Sequence, residues 1–174
     1  MKTFASSARN GAAFFARRFL FVVMLTLLAL PLWSRAAGLF NVMSYGADPR
    51  GRELSTLAMQ RAIDACTLSG GGTVVVPPGR YRIATITIKN NVTLQFEKET
   101  FVDAPRLYSQ YSPYNSLIRA SGSTNVALRG PVIINGQGTN YWNVVPNPNP
   151  FYTVSQNRPV PIVQFLNCSN VVVD

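Results

Sequence analysis

Histidine is absent from the 174 residues, cysteine occurs twice, and Asp and Glu together number only seven. With no imidazole, and with Cys66 and Cys168 each lacking a second cysteine nearby, the chain offers no metal-ligand spacing, so no metal and no cofactor are expected. Two cysteines are too few for the disulfide framework of a small secreted domain. A bridge between them could form in an oxidising compartment, although Cys within apolar segments is more commonly a buried free thiol. Basic residues interleaved with aromatics are missing after Arg35, which argues against nucleic acid as a partner.

What is present begins with charge. The formal charge is +9, from 16 basic and 7 acidic residues. Five of the basic residues, Lys2, Arg9, Arg17, Arg18 and Arg35, lie at the front. Without them 11 basic residues face 7 acidic ones, a net of about +4, which steers anionic ligands weakly. The front itself has the three-part layout of a signal peptide: a basic stretch without acids, an apolar run Phe19–Leu32, and small residues around Ala36. The run of about 14 residues is shorter than the roughly 20 a helix needs to span a bilayer. Residues 1–36 are therefore expected to be a cleaved leader and residues 37–174 a domain, secreted or periplasmic, without stable membrane association once the leader is gone. An uncleaved N-terminal anchor is the alternative, and Arg17-Arg18 leaves the twin-arginine export route open.

Beyond Leu39 the pattern changes. An extended Leu39–Val42 leads into a turn at Gly46 and Pro49. Leu54, Ala58, Ala62 and Ala65-Cys66 then recur at helical spacing, which predicts a helix over 55–68 with Ser55 as N-cap and Gly70-Gly71-Gly72 as its end. After the glycines come short β-branched runs, Thr73–Val76, Tyr81–Ile83, Thr85–Ile88 and Val92–Phe96, separated by Pro77-Pro78-Gly79 and Asn90-Asn91 turns. No later segment carries helical periodicity, so the crossover helices of an α/β sheet are excluded and a sandwich or a solenoid remains.

An internal repeat favours the solenoid. Ile118 to Leu128 overlays Val163 to Val173 at an offset of 45, each copy a strand, a polar turn centred on Asn125 or Asn170, and a second strand; Asn91-Val92 echoes the same turn. Such units stack coil on coil in a parallel β-helix, and an offset of 45 fits two coils of about 22 residues. A turn that needs a left-handed or side-chain-bonded residue accounts for Asn91, Asn125 and Asn170 without a functional role. Asn91-Val92-Thr93 and Asn167-Cys168-Ser169 also match the glycosylation sequon, which matters only in a eukaryotic source.

Three stretches resemble the pectin-active β-helix families, glycoside hydrolase family 28 polygalacturonases above all. Phe40–Tyr81, with Tyr45-Gly46-Ala47, Gln60–Cys66 and Gly70–Gly79, resembles the opening segment and capping helix of that superfamily. Ile133–Gly138, followed by Tyr141-Trp142, resembles a coil that usually reads Asp-Gly-Gln-Gly before its aromatics, and Arg158–Val171 resembles the coil after it. The first stretch is shared with lyase-like, epimerase-like and tailspike β-helices, whereas the other two are more selective. Leu54-Ser55 departs from adjacent aspartates, and Glu99-Thr100 departs from a Gly-Ala pair.

The resemblance implies an all-β, right-handed parallel β-helix with an N-terminal capping α-helix, truncated at its C-terminus. It also implies a hydrolase of α-1,4-galacturonosyl links in pectin or polygalacturonate that is monomeric at full length. Inverting hydrolysis needs two carboxyl groups about 6.5–9.5 Å apart. In the family these come from Asn-x-Asp and Asp-Asp motifs, with Gly-His-Gly and Arg-x-Lys beside them, and none of the seven acids here matches those motifs. No catalytic, cofactor-binding or metal-binding residue is therefore assigned, and the chain alone is expected to be inactive. Glu97 and Glu99, two apart on an expected strand and so about 6.8 Å apart, meet the window on spacing, but read as a solvated strand edge. Asp48, Asp64 and Asp103 read as isolated, Asp64 on an exposed helix face and Asp103 in a turn before Pro105, while Asp174 is merely the last residue. Tyr141, Trp142, Phe151 and Tyr152 flank a Pro/Asn-rich loop, Val145 to Pro150, and suit loop packing or sugar stacking; Arg158 could grip a uronate carboxylate. A polysaccharide lyase of the same fold is the rival, needing clustered carboxylates for calcium and a base. A β-helical adhesin, tailspike piece or carbohydrate-binding module is the reading outside enzymes.

Overall fold

The computed structural model describes residues 38–111, 113–144, 152–154 and 160–174, so the expected leader, residues 1–36, lies outside the described residues. Short β-branched runs separated by turns form three parallel sheets. The first holds β1 (Gly38–Asn41), β3 (Gly72–Val76), β6 (Val92–Phe96), β9 (Thr124–Arg129) and β14 (Ser169–Val173), in that order. The second runs β2 (Arg50–Leu54), β4 (Gly79–Arg82), β7 (Thr100–Asp103) and β10 (Val132–Asn135). The third runs β5 (Ile86–Ile88), β8 (Ile118–Ser121) and β13 (Val163–Leu166). From β3 on, successive strands visit the first, second and third sheet in rotation, while in the first coil a helix stands between β2 and β3 in place of a third-sheet strand; every pairing within these sheets is parallel. That is a parallel β-helix, and it is right-handed like its structural neighbours. An antiparallel pair, β11 (Trp142–Val144) with β12 (Tyr152–Val154), interrupts the last rotation.

The two copies of the repeat stack as the sequence implies, Ile118 against Val163 and Val126 against Val171. The expected coil length is corrected, however. Because those partners are direct neighbours, the offset of 45 is one coil, not two. Coils are unequal: Gly72 and Val92 pair across 20 residues, whereas Thr93 and Ala127 pair across 34. Strand register is set by the stacked side chains, so excursions between strands can lengthen without disturbing the stack.

Alternation places one side chain in two inside. Val92, Leu94 and Phe96 are all fully buried, as are Val74, Val76, Ile86, Ile88, Tyr81 and Val102. They pile up in columns, Val74 on Leu94 on Leu128 and Ile86 on Ile118. Each fully buried Val, Leu, Ile or Phe contributes about 1.5–3 kcal/mol, so the columns are what hold the coils together.

Helix α1 (Thr56–Leu68) packs on β1, β3 and β5 at the first coils, the place expected of a capping helix. It buries Ala58, Met59, Ala62, Ile63 and Cys66, the 3–4 spacing of one helical face. Ser55 is its N-cap residue, as expected, but the hydroxyl does not cap; it accepts from the Asp48 N–H at 2.9 Å, while the Ser55 carbonyl takes the Met59 N–H. Among the described residues no helix is long and apolar enough to cross a membrane.

The turns need left-handed backbone. Asn91, Asn125 and Asn170 have φ of 59°, 56° and 52°, and their side chains form a ladder: Asn125 Nδ2 donates to Asn91 Oδ1 at 2.8 Å and Asn170 Nδ2 to Asn125 Oδ1 at 2.7 Å. Asn is the non-glycine residue best suited to that region, and here its amide also joins one coil to the next. Gly130, at φ 89°, turns the chain where any Cβ would run into the Phe96 carbonyl oxygen.

Candidate functional site

All seven carboxylate side chains lie in described residues, and that of Glu53 is exposed on β2 with no ion pair among the described residues. Glu97 and Glu99 are not on a strand: β6 ends at Phe96 and β7 begins at Thr100, so both sit exposed in the connecting turn, with Glu99 at φ 68°. The expected same-face spacing is therefore corrected, because it assumed extended geometry that this turn lacks. Asp48 is not isolated. It accepts backbone N–H groups from Arg50, Arg52 and Glu53 at 3.0, 2.9 and 3.2 Å. The Arg50 N–H leads in drawing its pKa down to about 2, against the opposing effect of burial. On α1, Asp64 accepts from Gln60 at 3.0 Å and faces Lys89 Nζ at 2.7 Å. Burial works against its charge, but these two partners outweigh it and lower its pKa. Asp174 stands 3.9 Å from Arg129 Nε on the surface.

Asp103 is also corrected. It ends β7, inside a sheet and only 7% exposed, and is gripped by the Nε and Nη2 of Arg80, the latter 3.2 Å from Oδ1. Asn135 on the next coil donates to the same Oδ1 at 3.2 Å, and its own Oδ1 accepts the Gln137 N–H at 3.0 Å. The Arg80 hydrogen bond is the main cause holding the Asp103 pKa down, with burial opposing it. A carboxylate so held stays charged near neutrality and makes a poor proton donor. Among the described residues no second carboxylate joins it, and no three of His, Cys, Asp and Glu gather in one place.

Around this ion pair, the outer face of the second sheet carries two cross-coil rows. One is Arg50, Arg80, Phe101 and Ile133; the other is Leu54, Arg82, Asp103 and Asn135. Phe101 is 38% and Ile133 61% exposed, and the Arg50 and Arg80 side chains are mostly exposed. Strands lie about 4.8 Å apart, so the row offers cationic, aromatic and apolar contacts in steps of that length. This arrangement can bind an extended anionic chain, but it holds no acid–base pair. Sequence reasoning missed it, because Arg80, Asp103 and Asn135 lie 23 and 32 residues apart. The signal available was the buried Tyr81 and Val102, whose alternation puts Arg80, Arg82, Phe101 and Asp103 outside.

Tyr141 is buried and donates to the Pro105 carbonyl at 3.1 Å, which is the packing role. The rings of Trp142 and Tyr152, together with Phe151, Arg158 and the 145–150 loop, lie outside the described residues. Cys66 and Cys168 are both free thiols, Cys66 buried and Cys168 partly exposed.

Three stacked parallel sheets with a helix at the first coils define the class: this is a right-handed parallel β-helix protein. Residues 39–98 match the family described as rhamnogalacturonase A/epimerase, pectate lyase-like. The chain's relatives include exopolygalacturonases. It is 33% identical to the exo-poly-alpha-D-galacturonosidase of Dickeya chrysanthemi over 92 residues, 49% of this chain and 15% of that protein. It is 44% identical to the mannuronan C5-epimerase AlgE3 of Azotobacter vinelandii over 61 residues, 30% of this chain and 3% of that one. The chain thus spans a small part of the length of these relatives. A hyperthermoactive exopolygalacturonase from Thermotoga maritima superposes with a TM-score of 0.64 at 21% identity, covering 78% of this chain and 40% of the other, and so shares the fold.

Proposed function

We propose that this chain is the scaffold and substrate-holding part of an exported hydrolase of polygalacturonate, one that cleaves α-1,4-galacturonosyl links. The observation that carries the reading is the exposed row Arg50–Arg80–Phe101–Ile133 on the second sheet. Arg50 and Arg80 are already paired with Asp48 and Asp103, and the remaining N–H groups of these exposed guanidiniums are left for uronate carboxylates, while an exposed ring takes the apolar face of a sugar. The galacturonosidase relative supports hydrolysis; the epimerase relative supports polyuronate more broadly, with mannuronan as the second substrate class. Apart from Glu97 and Glu99 in their exposed turn, which lie off this row, the described residues place no two free carboxylates together, so this chain is expected to bind without turnover, the acid and base coming from other parts of a longer protein.

The test is a titration of the purified chain with polygalacturonate, alginate and a neutral polysaccharide, alongside assays for released reducing ends and for the ultraviolet absorbance of an unsaturated uronate. Binding to polygalacturonate, weakened by Arg80→Gln and by salt, with neither product formed, is the expected result. Tightest binding to the neutral polymer would overturn the reading, and unsaturated product would replace hydrolase by lyase.

A further inference from the structure

Arg119 is the one charged residue of the third sheet that the proposed function does not use. It lies at the middle of β8, where Ile118 and Ala120 stack on Ile86 and Ile88 in the core, so alternation turns Arg119 outward with Thr87 below it and Gln164 above. Outward here does not mean exposed: Arg119 retains 8% exposure, and its guanidinium carbon lies 3.6 Å from the centre of the Tyr114 ring. That stack occupies one face of the guanidinium and leaves its in-plane N–H donors free.

Arg119 Nε is buried with no hydrogen-bond partner among the described residues. All seven carboxylate side chains are described, and none lies within 4.0 Å of it; the ion pairs go to Asp48, Asp64, Asp103 and Asp174. Residues 145–159 contain no Asp or Glu, so they cannot supply the missing charge. Ser116 Oγ, also buried with no partner among the described residues, belongs to the excursion between β7 and β8 that leads into Arg119. Leaving a donor of a charged group buried without a partner is unfavourable. An unpaired donor beneath an aromatic ring on the outer face of a sheet is placed to meet an acceptor from outside the described residues.

We propose that Arg119, with Thr87, Gln164 and Tyr114 around it, forms a carboxylate-binding subsite for a uronic-acid unit, on a different sheet from the Arg80 row. The choice of ligand rests on the function proposed above. The planar fork of arginine matches a carboxylate bidentately, and a threonine hydroxyl and a glutamine amide on either side suit the hydroxyls that flank the carboxylate on a sugar ring.

The experiment uses the full chain and calorimetric titration with oligogalacturonate, its carboxyl-reduced neutral counterpart, galacturonate and acetate. Arg119→Gln should weaken oligogalacturonate binding by about tenfold or more, Arg119→Lys should recover part of it, and the neutral oligomer should not bind. Arg119→Met supplies a readout that a structural arginine would move the other way: with a buried, unpartnered N–H donor removed, the Tm of the free protein should stay level or rise. Wild-type affinity in Arg119→Gln, a clear fall in Tm in Arg119→Met, or acetate competing as well as galacturonate would each overturn the subsite. If the unaltered chain binds no oligogalacturonate at all, the polyuronate reading falls with it, whereas binding that ignores Arg119 removes this subsite alone.

Discussion

Replacing Asn125 tests whether the asparagine ladder fastens the coils or merely decorates them. Asn125 is the middle rung: it donates to Asn91 at 2.8 Å, accepts from Asn170 at 2.7 Å, and holds φ at 56°. Both hydrogen bonds are exposed, so each contributes about 0.5 kcal/mol, the low end for such bonds. An alanine loses both, together with the short polar side chain whose local hydrogen bonding offsets a left-handed penalty of about 1–2 kcal/mol, a total of up to about 2–3 kcal/mol. Glycine loses the same bonds but adopts the turn freely, at the cost of extra freedom in the unfolded chain, for about 1–2 kcal/mol. Aspartate keeps the acceptor and tolerates the conformation, and should cost least. With a urea slope of about 1–3 kcal/mol per molar, alanine should lower the unfolding midpoint by about 1 M, with glycine and then aspartate behind it. Equal costs for alanine and glycine would remove backbone conformation from the argument. All three variants within about 0.3 kcal/mol of the parent would refute the ladder as a source of stability.

Glu99→Gly should raise Tm by about 2–4 °C, because Glu99 holds a positive φ of 68° in an exposed turn; a fall would show that the side chain has a role the turn does not reveal. Asp48 has a folded pKa of about 2 against an ordinary 3.8, so its contribution is complete above about pH 4 and disappears as pH falls toward 2. In urea melts the parent should lose stability through that window more steeply than Asp48→Asn, and parallel curves would contradict the assignment. Cys66 is buried and burial raises its thiol pKa, whereas Cys168 is partly exposed. Mass spectrometry after native alkylation should therefore find Cys168 modified and Cys66 intact until the protein is unfolded, and equal native labelling would contradict the packing of α1.

The elements were legible because their signals are local. Val92–Phe96 was expected as a strand and is one, since its β-branched alternation lies between an asparagine turn and a charged one. The helix was expected over 55–68 and found over Thr56–Leu68, because three glycines end it and its alanines recur on one face. Glu97–Glu99 was misread for the same reason: neighbouring strand character was carried one turn too far, and the positive φ of Glu99 gives no signal in a residue that usually avoids it. The Asp103 pairing could not be seen without knowing which coil lies on which.

Unaided, the order of residues decided where the chain extends, where it turns and which side chains face inward, because hard-sphere backbone limits and two-residue alternation act over only a few positions. Stacking decided the rest. Coils of 20, 34 and 45 residues close onto one another through matched core columns rather than through equal length, so the neighbours of Asp103 and the solitude of Arg119 exist only once the register is set. Contacts between coils depend on distances that loop insertions leave free to vary along the chain, and the packed core alone makes them definite.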